Sequence, residues 1–220
     1  MVSRPGIWYH CPIERSAGNR HGAATTHAQP ATARQRDLLD AAATLFREKG
    51  YAGATTRELA SVLGMQSASL YHHIASKDDL LYTLCEEAVQ RMLAAARAAV
   101  AAEDDPAARM RAVIAAHVCT GLADQDTHAT MLGELRSLPP ERREQVVALR
   151  DEYETLIRDV LVYAQEAGAV RRDISAHDLT LVLLSLLNWP IFWFRPDGDL
   201  TPEALAGLLA TIFLEGVATT

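Results

Sequence analysis

Cysteine is scarce in this chain. Cys11, Cys85 and Cys119 are the only three in 220 residues. Their spacing suits no metal site, and an odd number argues against a disulfide framework. Cys85 and Cys119 stand in apolar helical surroundings, which predicts buried inert thiols, with a thiol redox sensor as the alternative. Aromatic residues make up only 6% of the chain, so any cluster of them stands out. Runs of β-branched residues are few while alanine is abundant, a balance that favours an all-α fold. No apolar run reaches the ~18 residues of a membrane span. The N-terminus has no apolar stretch of ~7–15 residues of the kind a secretory signal needs. Together these predict a cytoplasmic protein without a membrane partner. There is no phosphate-cradling glycine loop, no metal-spaced Cys/His set and no nucleophile elbow. His72 and His73 are adjacent, hence ~100° apart on a helix, and cannot chelate one metal together. No catalytic residue, metal or cofactor is therefore assigned, and the chain reads as a non-enzyme.

What is present is ample core material and uneven charge. About half the residues, 49%, are apolar, and the net charge is −7. An acidic total is unexpected for a nucleic-acid binder, but the acids are concentrated in the later part. Up to Lys77, basic residues outnumber acidic ones. A basic head on an acidic body is compatible with a head that touches phosphate.

The stretch Thr55–Leu81 organises the rest. Thr55 and Glu58 form the pattern of a capping box that opens a helix. Leu59, Ala60 and Leu63 recur at helical spacing, and Gly64 follows where a chain turns cheaply through positive φ. Gln66–His73 is too short to stand alone as a helix. Leu70 and Ile74 supply its packing face, and Gln66, Ser67, Ser69, Tyr71 and His72 supply a polar one. Ser76 caps a further helix, with Asp78 and Asp79 in its favourable first turn. Two helices joined by a glycine turn, the second with a polar face, is the arrangement that sets a recognition helix in the major groove.

Around this stretch the pattern predicts three parts. Residues 1–31 are aperiodic and read as a disordered arm. Residues 32–77 form a three-helix head, its first helix running from Thr32 to Lys49 and ending at Gly50. Residues 78–220 form a helical ligand-binding and dimerisation domain, giving about nine helices in all. Ser76 to about Ala102 is one long helix running from the head into the body. Helices over Pro106–Leu122, Gln125–Leu138, Glu141–Ala167, Ala176–Phe194 and Pro202–Gly216 follow. Leu179–Phe194 is apolar nearly all round and demands a second partner. With Leu205, Leu208, Leu209, Ile212 and Phe213, this predicts a homodimer through the last two helices, closing a four-helix bundle. Asn188, Trp189, Phe192, Trp193 and Phe194 cluster around Pro190, as aromatic walls of an apolar pocket or as packing at that interface. His117 lies within an apolar stripe.

The segment Leu38–Leu81 resembles the DNA-binding domain of the TetR family of transcriptional repressors. The resemblance rests on Ala42, Leu45, Phe46, Gly50, Tyr51, Thr55, Arg57, Ala60, Gly64, Leu70, Tyr71, His73, Ser76, Lys77 and Leu80. It departs where Gln66-Ser67 replaces a common Ser-Lys pair and Ile74 replaces a common Phe, so the operator cannot be carried over. What the resemblance implies is a palindromic double-stranded DNA operator bound by a dimer. Ser67, Ser69, Tyr71 and His72 would enter the groove; Thr56, Tyr71, His73 and Lys77 would meet phosphates; Thr55 and Gln66 complete the DNA-binding set. Residues Glu134–Arg142 together with Asn188–Gly198 resemble the ligand domain of family members that respond to acyl-CoA thioesters. That implies a small-molecule effector held by His117, Leu138, Tyr153, Asn188, Trp189, Phe192 and Trp193, with Arg136, Arg150 and Arg195 for CoA phosphates. An aromatic or drug-like cation is the alternative effector. Ligand in the body is expected to shift the long helix and weaken operator binding.

Overall fold

The computed structural model describes residues 33–70 and 74–218. Their regular structure is helical, with no strand among them. They divide into two compact units: one holds residues up to 88 together with 126–147, the other 89–125 with the remainder from 148.

The first unit opens with α1, Ala33–Gly53, whose Leu38, Leu39, Ala42, Leu45 and Phe46 are buried. Gly50 interrupts it at φ 72°, as a glycine stop should, and Tyr51–Gly53 add one more turn. Thr55 caps α2, Thr56–Val62. The capping box is complete: the Glu58 N–H donates to Thr55 Oγ1 at 3.2 Å, and the Thr55 N–H donates to Glu58 Oε2 at 3.0 Å. A Schellman motif closes the helix, with Met65 N–H donating to Ala60 O at 2.9 Å and Gly64 N–H to Ser61 O at 3.1 Å. Gly64 takes φ 62° there. A four-residue α3, Ser67–Leu70, follows, held by Leu70, which is fully buried.

Ser76 then caps α4, Lys77–Ala102: its Oγ accepts from Asp79 N–H at 3.0 Å and donates to Asp79 Oδ2 at 2.7 Å. Two later pieces of chain complete this unit. One is most of α6, Gln125–Glu134, with the 3₁₀ turn Leu135–Ser137; the other is the start of α7, Pro140–Glu166. Asp126 of α6 accepts from Thr44 Oγ1 and Arg47 Nη1 of α1, both at 2.6 Å. Thr130 Oγ1 donates to Ala43 O at 3.2 Å. Arg142 of α7 pairs with Asp79 and lies over the Tyr82 ring. Hydrogen bonds from Ser76 and then Arg142 hold the Asp79 carboxyl below the usual carboxylate range.

The second unit is built on α5, Pro106–Ala123, capped by Asp105 with Pro106 at its first position. Met110, Val113, Ile114 and Val118 of α5 are buried, as are Ile157, Val160 and Leu161 of α7. Gly168 ends α7 at φ 75°. Ser175 caps α8, Ala176–Asn188, and Thr201 caps α10, Pro202–Val217, which packs along α5.

One element differs from the sequence pattern. A single helix to Phe194 is expected, but α8 ends at Asn188, and Pro190–Trp193 form a separate short turn, α9. The proline ring lacks the N–H that would have continued the ladder and crowds the carbonyl four residues back. Gln125 Nε2 secures the break by donating to Phe194 O at 3.1 Å and Ile191 O at 3.4 Å.

Candidate functional site

The helix–turn–helix is built from α2, the Gly64 turn and α3. Leu59, Ala60, Leu70 and Ile74 are buried and fix the two helices to their neighbours. Gln66 is exposed and Ser69 half-buried, so both stand on the accessible side of α3. The Ser67 side chain and residues Tyr71, His72 and His73 lie outside the described residues. Thr55 is exposed, but its hydroxyl serves the capping box, and Thr56 is half-buried.

The charges around the reader fall into two groups. Lys49 Nζ meets Glu58 Oε1 at 2.6 Å. Hydrogen bonds from Lys49 and then Thr55 lower the Glu58 carboxyl to about 2. Lys77 reaches back to α1, with Nζ donating to Tyr51 O at 2.7 Å and Ala54 O at 2.8 Å. The same ammonium lies 4.1 Å from the Tyr51 ring centroid. The Tyr51 hydroxyl donates to Asp78, and burial followed by that bond pushes its pKa up. The Tyr51 ring stands edge-on to Phe46, with centroids 5.3 Å apart. Lys77, Asp78, Tyr51 and Phe46 thus form one clamp between α1 and the start of α4. Arg57, named in the sequence pattern but given no role there, is exposed and has no partner among the described residues.

The candidate effector residues are shared between the two units. Arg136 and Leu138 belong to the first unit, where Arg136 is exposed and Leu138 buried. The others belong to the second. His117 Nδ1 and Tyr153 Oη share a 2.8 Å hydrogen bond, both residues being buried. Burial raises the Tyr153 pKa. Arg150 is exposed, and Arg195 stands 3.6 Å from Asp197.

Asn188 is half-buried, but Trp189, Phe192 and Trp193 are exposed, Trp189 by 64%. Trp189 and Phe192 stack at a tilt with centroids 5.4 Å apart. These aromatics continue a line of exposed Leu181 and Val182 on α8, and α10 adds Leu208 and Ile212. An open groove of about 340 Å³ lies between α4, α5 and α7, with Val100, Leu156 and Val160 in its wall. None of the candidate effector residues lines it. No metal-type cluster occurs among the described residues, and none of their helices is long and apolar enough to cross a membrane.

Comparison with known proteins agrees with this geometry. The model of "Bacterial regulatory proteins, tetR family" matches residues 38–83, and that of "Tetracyclin repressor-like, C-terminal domain" matches residues 103–217. The chain is 30% identical over 187 residues to the HTH-type transcriptional repressor KstR2 of Rhodococcus jostii (strain RHA1), covering 84% of this chain and 91% of that one. The solved ketosteroid transcriptional regulator KstR2 of Mycobacterium tuberculosis superposes with a TM-score of 0.81 at 25% identity, over 86% of this chain and 96% of that one. AibR, solved in complex with isovaleryl coenzyme A and operator DNA, superposes with a TM-score of 0.73 at 27% identity, over 82% and 98%.

Proposed function

The chain belongs to the TetR family of bacterial regulatory proteins, and from that membership we propose a homodimer that holds a palindromic operator and releases it on binding an acyl-CoA thioester. The coarser statement is plain: this is a DNA-binding transcriptional repressor of TetR type, a regulator and not an enzyme. The observation that carries the reading is the α2–Gly64–α3 turn, which anchors Leu70 inward and leaves Gln66 and Ser69 accessible. On this reading Ser67, Ser69, Tyr71 and His72 meet base edges, while Thr56, Tyr71, His73 and Lys77 meet phosphates and orient the reader.

Dimerisation is supported by the exposed apolar line on α8 and α10, which is unusual for a lone surface. Two heads of a dimer spaced ~34 Å apart read two half-sites on one side of the duplex. The acyl-CoA effector is supported by AibR, whose structure holds isovaleryl coenzyme A and operator DNA together. Exposed guanidinium groups such as Arg136 and Arg150 suit CoA phosphates, since they pair bidentately with such oxyanions. His117 and Tyr153 offer a polar pair inside an apolar helix packing. By linkage, an effector that weakens operator binding must itself be weakened by operator.

The test begins with duplex fragments selected from the source genome by the purified protein. Fluorescence anisotropy on the selected duplex is then followed while CoA thioesters of increasing acyl size are added. Release by one acyl class, with free CoA and free acid inert, is the expected result. Selection of no duplex at low salt overturns the DNA reading, and release by none of the thioesters overturns the effector.

A further inference from the structure

We propose that the corner between α5 and α6 is a coupling joint, in which Gln125 is a positioning residue that ties the aromatic turn α9 to the reading head. This rests on the operator-binding reading and adds to it a route by which occupancy of the head is felt at Trp189 and Trp193.

Only Asp124 separates α5 from α6, and the three consecutive residues at that corner each grip a different helix. Asp124 Oδ2 accepts from Arg91 Nη2 of α4 at 2.9 Å. Gln125 Nε2 donates to Phe194 O at 3.1 Å and to Ile191 O at 3.4 Å, securing α9. Asp126 accepts from Thr44 Oγ1 and Arg47 Nη1 of α1, both at 2.6 Å. The bonds of Asp124 and Gln125 lie within the second unit, and those of Asp126 within the first. One peptide bond joins the two sets, with Cα atoms ~3.8 Å apart. Gln125 and Asp126 both sit in the first turn of α6, so their backbones move together.

The turn α9 is the softer end of this link. It has four residues and cannot persist as an isolated helix. Pro190 and Ile191 are its buried side, and a Cβ on Gly121 of α5 would stand 3.7 Å from Ile191 Cγ2. Trp189, Phe192 and Trp193 are exposed. Carbonyls at a helix end have no N–H ahead of them in the ladder, and the Gln125 amide supplies donors for two. Anything that displaces α9 therefore draws on the start of α6. At the other end α6 is bolted to α1 twice, at Asp126 and where Thr130 Oγ1 donates to Ala43 O at 3.2 Å. Coupling of this kind is reciprocal, so a duplex that orders the head must change the surroundings of α9.

The tryptophans make the test direct. The chain has three, Trp8, Trp189 and Trp193. In a Trp8→Phe background the indole emission comes only from the two beside and within α9. The full chain is titrated with an unlabelled duplex selected from the source genome, and binding is followed separately by anisotropy of a labelled copy. A shift in emission that saturates together with the anisotropy is expected. Gln125→Met keeps the side-chain length and removes both N–H donors. Asp126→Asn keeps the shape and removes the charge. Each is expected to bind the duplex and to lose most of the emission shift. The double variant is expected to lose no more than either alone, because links in series fail together whereas independent defects add. Thr44→Val, which removes one bond to Asp126, covers the case in which Asp126→Asn fails to fold. No emission shift in the Trp8→Phe background at saturating duplex overturns the proposal. So does a full shift in Gln125→Met, or a double variant whose loss is the sum of two partial ones. Absence of binding to any duplex sinks the DNA reading itself, a different failure.

Discussion

Glu58 does three jobs in the space of one helical turn. It accepts from Thr55 N–H, from Thr55 Oγ1 and from Lys49 Nζ. These bonds favour the ionised form, and the carboxyl falls from 4.5 to about 2. A depressed folded-state value means the stabilisation is whole above about 4.5 and is lost as pH falls toward about 2. Replacing Glu58 with Gln should therefore flatten the acid limb of the thermal midpoint between those values. Asp79, also lowered, keeps a remaining slope in the variant. A variant whose midpoint falls as steeply as the original would show that Glu58 titrates the same in both states. The capping box was readable because both partners lie three residues apart in one helix. The role of Lys77 was not. Its partners are carbonyls 26 and 23 residues earlier, and carbonyls leave no trace in a side-chain pattern. Arg57 was visible as a letter of the family pattern, but that it has no partner among the described residues emerges only once Lys49 is seen to take Glu58.

At the scale of elements, the turn between α2 and α3 is the most demanding piece. Gly64 holds φ 62°, and a Cβ built there would meet nothing within 4 Å. Space is thus no obstacle to a side chain; the backbone torsion is. Gly64→Ala is expected to cost about 1–2 kcal/mol, the penalty of left-handed backbone for a residue with a Cβ. Gly64→Asn should lose less, since Asn tolerates that region. Urea midpoints with unchanged slopes would check both, and an alanine variant as stable as the original would mean that the turn had changed type. This turn was legible because a glycine directly after an apolar helical stripe has few other uses. The break between α8 and α9 was harder. Pro190 sat in plain view, but a proline within an apolar run either kinks a helix or ends it. What decides is Gln125, far away in the chain, whose amide takes the carbonyls of Ile191 and Phe194. Periodicity also placed the faces of α6 and α7 without naming their partners, so the pairing of Asp126 with α1 and of Arg142 with α4 was invisible.

For the whole molecule, the question is what covers the apolar side of α8 and α10. Single exposed hydrophobic residues are ordinary on protein surfaces, but a contiguous run marks an interaction site. Val182 and Ile212 are 59% and 55% exposed, and Trp189, Phe192 and Leu208 extend the same two helices outward. On the opposite side of these helices Leu183, Leu187, Leu205, Leu209 and Phe213 are buried in their own unit. Each helix is therefore apolar on two faces, and one of them is left over within a single chain. A second copy meeting it face to face accounts for that surplus. Ile212→Glu tests this without touching the buried side. The variant should keep its helicity, because residue 212 is more than half exposed. In light scattering at micromolar concentration it should run as a monomer. Its operator affinity should fall by about 10²–10⁴-fold, the advantage lost when two linked heads become one. A dimer that persists in the variant would move the interface away from α8 and α10. A monomer that still held the operator with full affinity would remove the need for paired heads altogether.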